Sequence, residues 1–82
     1  MDSNSSRSGA FQPLIDAVSV GAAVRVARRA HGLTQVELAG LAGVGARFVS
    51  ELERGKASVE LGKVLDVLAV LGLRLGLEGE GP

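Results

Sequence analysis

Basic side chains crowd one stretch of this chain, GVGARFVSELERGK (residues 43–56), where Arg47, Arg54 and Lys56 surround a short helical segment that also bears Ser50 and Glu51. The chain as a whole has no net charge at neutral pH. That neutrality is an average over unlike parts. Residues 19–56 hold Arg25, Arg28, Arg29, Arg47, Arg54 and Lys56 against Glu37, Glu51 and Glu53, a net of +3. Residues 1–18 hold Arg7 against Asp2 and Asp16, a net of −1, and residues 57–82 hold Lys63 and Arg74 against Glu60, Asp66, Glu78 and Glu80, a net of −2. A local basic face can hold a phosphate backbone even when the total charge is zero, while the neutral total argues against strong nonspecific binding. Phe11 and Phe48 are the only aromatic residues. Recognition of single strands or RNA by base stacking relies on aromatic platforms, so the segment is read as one that enters a groove of duplex DNA.

Other chemistries find little support. There is one histidine, His31, and no cysteine. Disulfides and thiolate metal sites are excluded, and His31 has no second histidine or cysteine to join it as a ligand. His31 is read instead as a last-turn residue whose partial positive charge suits a helix dipole. No paired carboxylates suggest a cleft, and GKASVELGK lacks the P-loop spacing. We therefore expect no enzyme activity, no cofactor and no metal. The lack of cysteine fits a reducing cytosol, and a cytoplasmic location is expected. No apolar run approaches the ~20 residues of a membrane helix, and the N-terminus lacks the basic-then-apolar pattern of a signal peptide.

The elements that position the basic segment follow from the pattern. With 82 residues the chain suffices for one small domain. A domain of this size buries roughly 60% of its unfolded surface, so pairing with a second copy is an expected source of stability. Residues 1–12 are read as a disordered tail, and FQPLID as either a turn of helix or an extended arm. A first helix is predicted from about Ser19 to His31, with Val20, Ala23, Val26, Ala27 and Ala30 at helical spacing and Gly32 closing it. Thr34 and Glu37 form a capping box for a second helix over about 35–42, with Leu33 and Leu38 as a hydrophobic staple and Gly43 ending it. A third helix runs from near Gly45 to near Arg54, with Val44, Val49 and Leu52 on one side. A fourth runs over about 59–71 behind Ser58, with Leu61, Val64, Leu65, Leu68 and Leu71 on one face. Val67 and Val70 widen that stripe, which implies a second surface to cover. Leu73, Leu75 and Leu77 then alternate with Arg74, Gly76 and Glu78 at a strand period. A lone strand is not stable, so the same strand of a second chain is its expected partner; the alternative is an apolar tail lying on the fourth helix. The domain boundaries expected are 13–72 for the helical domain, 73–78 for the dimerisation strand and 79–82 for a disordered end.

Two short helices joined by a four-residue glycine turn, within an all-helical domain, form a helix-turn-helix. The second helix of such a pair projects its first turn into a major groove about 12 Å wide. Small or apolar groups at Ala39, Gly43 and Val49 suit the packing that sets its angle. GLTQVELAGLAGVGARFVSELERGK resembles the helix-turn-helix of the Xre family, the Cro and lambda-repressor-like DNA-binding domains, over about residues 18–72. Within that family the stretch from Leu33 to Leu75 is most similar to HipB-like antitoxins. The resemblance implies an all-α, lambda-repressor-like domain of four to five helices, with a C-terminal β-strand pairing across a homodimer. It also implies roles for single residues. Arg47 would reach base edges, most plausibly guanine O6 and N7, and Ala46 a thymine methyl. Ser50 and Glu51 lie one turn on, with Glu51 accepting from cytosine N4 or orienting Arg47. Gln35 would bond a phosphate or brace a base-reading side chain, and Arg54 and Lys56 would hold phosphates. Arg28 and Glu53 would meet as a structural ion pair between the first and third helices. Val67, Val70, Leu73, Leu75 and Leu77 are expected at the dimer interface. Gly45 departs from the serine cap often found in the family, which a glycine tolerates.

The function so implied is a dimeric, sequence-specific repressor of double-stranded operator DNA, acting as the antitoxin of a HipA-like kinase toxin. Two alternatives stand beside it: a stand-alone phage or restriction-system repressor, and a protein-interaction module that no longer binds DNA.

Overall fold

The computed structural model describes residues 11–80; residues 1–10 of the expected 1–12 tail and residues 81–82 of the expected 79–82 end lie outside the described residues. Four helices follow in order: α1 Ala17–Ala30, α2 Gln35–Ala42, α3 Ala46–Glu53 and α4 Leu61–Val70. Among the described residues there is no strand. α3 packs against both α1 and α2, and α2 packs against α4. The core they enclose is Val24, Leu38, Ala39, Val49, Leu52, Val64, Val67, Leu68 and Leu71.

α1 starts two residues earlier than its apolar spacing predicts. Asp16 is the N-cap: its Oδ1 accepts from Ser19 N at 2.8 Å, and Ser19 Oγ accepts from Asp16 N at 3.1 Å. The buried face of α1 is Gly21, Val24 and Arg28. Val26 and Ala30, which the spacing placed on the apolar stripe, are exposed. The stripe is rotated because a buried arginine and a buried glycine occupy two of its positions, and neither reads as core. α2 keeps its predicted bounds. Thr34 Oγ1 accepts from Glu37 N at 3.0 Å, Glu37 Oε1 accepts from Thr34 N at 2.8 Å, and Leu38 is fully buried.

Helix α4 begins at Leu61 behind Glu60, not behind Ser58. Its core face is Val64, Val67 and Leu68, followed by Leu71, while Leu61 and Leu65 are exposed. Val67 is at 0% exposure. It therefore has no surface to offer a second chain, which corrects its assignment to a dimer interface. The 61/64/65/68/71 and 64/67/68/71 stripes both satisfy a 3.6-residue period, and only the packing of α2 on α4 separates them. Val70 and Leu73 are half-buried against the same core. Leu75 and Leu77 remain exposed, and Leu77 is bare.

Every helix ends the same way. The N–H groups of Leu33, Val44, Lys56 and Leu73 reach back to the carbonyls of Arg28, Ala39, Glu51 and Leu68 at 2.9–3.1 Å, in each case just after a glycine of positive φ. This is the Schellman closure, in which a left-handed residue lets the chain turn back over the last carbonyls. At Gly43, φ 73°, it produces the abrupt turn between α2 and α3. That turn is residues 43–45, one shorter than the four-residue turn the spacing implied. At Gly72, φ 71°, it ends α4 just before the leucine alternation begins.

Candidate nucleic-acid interface

Helix α3 is eight residues long and has no side-chain cap, because Gly45 stands at its N-cap. Its angle is fixed from below. Val49 and Leu52 are buried against the core. Gly21 of α1 lies so close to the end of α3 that a Cβ there would collide with the carbonyl oxygen of Leu52 and approach that of Glu53 to 2.9 Å. Phe48 is half-buried, with Lys63 Nζ of α4 5.8 Å from its ring centre, at the outer range of a cation–π contact.

A buried polar cluster locks the same helix to α1 and α2. Arg28 Nε donates to Glu53 Oε2 at 2.6 Å and Nη2 to Oε1 at 2.9 Å, a two-pronged pair with both side chains almost wholly buried. Arg28 Nη1 also donates to the Leu33 carbonyl at 2.8 Å. Gln35 Nε2 donates to Glu53 Oε1 at 3.0 Å. Burial alone would raise the Glu53 carboxyl, but the hydrogen bonds from Arg28 and Gln35 outweigh it and hold the group below its ordinary range. The hydrogen bond to Glu53 raises Arg28 above its own ordinary value. Gln35 is thus committed to the cluster by its amide nitrogen, a partner that its place at the start of α2 did not foretell.

The opposite side of α3 faces outward. Arg47 stands at its second position, 90% exposed. Arg47 Nε donates to Glu51 Oε2 at 3.2 Å, and Lys56 Nζ to Glu51 Oε1 at 3.3 Å. These two cations, with the hydrogen bond from Lys56 the stronger influence, lower the Glu51 carboxyl. Arg54 Nη1 donates to Ser50 Oγ at 2.9 Å. Arg47, Ser50, Glu51 and Arg54 recur at three- and four-residue intervals, so they share one helix face, and Lys56 folds back onto it. Ala46 is half-buried at the first position of the helix. The arrangement gathers three guanidinium or ammonium groups and two acceptors on the outward side of α3, whose first turn carries the 90%-exposed Arg47.

A second polar contact in the frame was missed by sequence reasoning. His31 Nε2 lies 3.1 Å from the Leu71 carbonyl, tying the end of α1 to the end of α4. The two residues are 40 positions apart, and only the fold reveals the bond. Among the described residues no group of histidines and acids could hold a metal ion, and no helix is long and apolar enough to cross a membrane.

Comparison with known proteins agrees with this geometry. The helix-turn-helix family pattern matches residues 24–77. An HTH-type transcriptional regulator of Sinorhizobium fredii, y4mF, is 48% identical over 62 residues, which cover 76% of this chain and 82% of that protein. Among solved structures, the HipA–HipB–O2–O3 complex contains a chain matched with a TM-score of 0.78 at 25% identity, over 87% of this chain and all of that one. A HipB–O4 20mer complex matches with a TM-score of 0.77 at the same identity and coverage. The restriction-modification controller protein C.AhdI from Aeromonas hydrophila matches with a TM-score of 0.65 at 36% identity, over 72% of this chain and 86% of that one. The chain belongs to the helix-turn-helix family of transcriptional regulators, with a lambda-repressor-like fold.

Proposed function

We propose that this regulator is a repressor that binds a double-stranded operator as a homodimer, with α3 of each protomer in the major groove of one half-site. The observation that carries the proposal is Arg47: it protrudes from the first turn of a helix whose other side is locked into the core. A guanidinium there suits a two-pronged contact with guanine O6 and N7. Ala46, Ser50 and Glu51 complete the base-facing surface. Arg54 and Lys56 flank it at the height of the phosphates, and Gln35 braces the helix through Glu53 and lies at the α2 N-terminus, where a phosphate is favoured. Dimer half-sites then lie about one helical turn, roughly 34 Å, apart.

Within that reading the chain acts as the antitoxin of a HipA-like kinase toxin in the cytoplasm. Support comes from the likeness to HipB over the full length of that chain and from the occurrence of HipA in one of the matched complexes. A stand-alone restriction-system controller is the second reading, favoured by the higher sequence identity to C.AhdI. Co-purification of the neighbouring gene's product with the tagged regulator separates the two: a stable complex with a kinase-like protein supports the first.

A mobility-shift titration on the duplex upstream of the native gene, at 50 and 200 mM salt, tests operator binding. The wild-type chain shifts that duplex in preference to a scrambled one. R47A loses the shift while melting like the wild type. Equal shifts of both duplexes by the wild type, or an unaltered shift by R47A, would sink the proposal and favour a protein-interaction module.

A further inference from the structure

Glu51 poses a problem for a surface that meets phosphates. It is a carboxylate on the face that carries Arg47, Arg54 and Lys56, and an anion there repels DNA. It is also the most engaged acceptor on that face. One of its oxygens takes Arg47 Nε and the other takes Lys56 Nζ. The closing turn of α3 builds this arrangement from the backbone as well: Lys56 N donates to the Glu51 carbonyl at 3.1 Å, which brings the lysine back over the helix end. Glu51 is only 19% exposed in its side chain, although Arg47 and Lys56 on either side are 90% and 48% exposed. It sits beneath the two cations as their common counter-ion.

The geometry has two consequences. The bond to Glu51 runs through Arg47 Nε, which leaves the Nη1 and Nη2 end of the guanidinium without a bond among the described residues. That end carries the parallel N–H pair that fits guanine O6 and N7. The carboxylate also cancels one of the two charges beside it, so the trio presents a net of one positive charge instead of two.

Resting on the operator reading above, we propose that Glu51 is a specificity-determining positioning residue: it aims the terminal fork of Arg47 at a base edge and withholds charge from indiscriminate contact with phosphates. Glu51 lowers affinity for any duplex and raises the advantage of the correct one. The neutral total charge of the chain acts in the same direction.

The test compares the wild type with E51A and E51Q on two duplexes, the one upstream of the native gene and a scrambled sequence of the same composition, across 50–200 mM salt. E51A removes both the charge and the acceptor. Its salt slope on the scrambled duplex steepens by about one, and its affinity for that duplex rises about threefold at low salt. Its preference for the native duplex over the scrambled one falls about tenfold. E51Q removes the charge but keeps an oxygen for Arg47 Nε, so it shows the steeper slope with a smaller loss of preference. A merely structural residue would move melting temperature and leave the salt slope alone. If E51A keeps the wild-type preference, the inference is overturned while the operator reading survives. If the wild type itself shows no preference, the operator reading fails, and the inference falls with it.

Discussion

At the scale of single residues, the two carboxylates of α3 do different work. Glu53 is closed off and met by Arg28 and Gln35, whereas Glu51 lies at the surface between two cations. Removing one partner of a buried pair strands the other charge away from water. R28M should therefore destabilise the fold by about 3 kcal/mol, measured by urea unfolding at neutral pH. The lowered Glu53 carboxyl sets a pH dependence of definite sign. Its folded form binds a proton less readily than its unfolded form, so the stability it contributes is complete above the ordinary value of 4.5 and is lost as pH falls through the lower folded value. Urea midpoints should be flat from neutral pH down to about 4.5 and decline as pH falls from there through the lower folded value, and the decline should be smaller in E53Q, which starts from a lower midpoint. A steeper acid decline in E53Q than in the wild type would contradict this account. The pair joins α1 to α3, so its loss should also loosen the reading helix.

At the scale of elements, α1 and α3 meet at Gly21, and that contact separates two kinds of helical glycine. An alanine in place of glycine in a helix interior gains roughly 1 kcal/mol from the unfolded chain and from propensity. At Gly40 of α2 a Cβ meets nothing within 4 Å, so G40A should raise stability by about that amount. At Gly21 the same methyl collides with backbone carbonyls at the end of α3, which cannot move without shifting the helix. G21A should cost 1–3 kcal/mol net, about the range for overpacking, in a thermal melt. It should also weaken DNA binding more than its stability loss alone explains, because α3 is tilted. The opposite signs expected at two helical glycines are a direct check on the packing. The same elements show what the sequence made legible. α2 was readable to the residue, because Thr34, Glu37, Leu33 and Gly43 are all local signals. The helix-turn-helix and the outward face of α3 were readable for the same reason. α1 was rotated by one position, because a buried arginine reads as surface and Asp16 with Ser19 is a less common cap. Val67 was misplaced because two overlapping stripes on α4 have the same period. The Gln35–Glu53 and His31–Leu71 bonds link residues far apart in the chain, and no local pattern announces them.

At the scale of the whole molecule, one protomer leaves apolar surface that its own core does not need. Leu75 lines two apolar recesses, one of ≈ 450 Å³ between residues 11–14, α1 and the C-terminal segment, and one of ≈ 200 Å³ beside α3 and α4. Leu77 two residues on is bare, and Leu61 and Leu65 are exposed on α4. The alternation of Leu73, Leu75 and Leu77 suits a strand, but a strand needs a neighbouring edge, and the described residues of one protomer offer none. In the proposed homodimer a second copy would supply that edge and cover the leucines. It would then set the spacing of the two reading helices and double the phosphate contacts. If Arg54 and Lys56 of each protomer hold phosphates as proposed, about four phosphates would be neutralised, and operator affinity should fall roughly a hundredfold between 50 and 200 mM salt. The variant carrying both L75D and L77D tests the link between assembly and binding. Both side chains are open to solvent in the protomer, so the helical fold and its far-UV spectrum should persist. Two like charges brought onto an apolar seam should turn the dimer into a monomer in sedimentation equilibrium. Each monomer can then grip only one half-site, and operator affinity should drop by at least the hundredfold that a second tethered contact supplies. A double variant that sediments and binds as the wild type does would place the seam elsewhere, with the exposed Leu61 and Leu65 of α4 the next surface to charge.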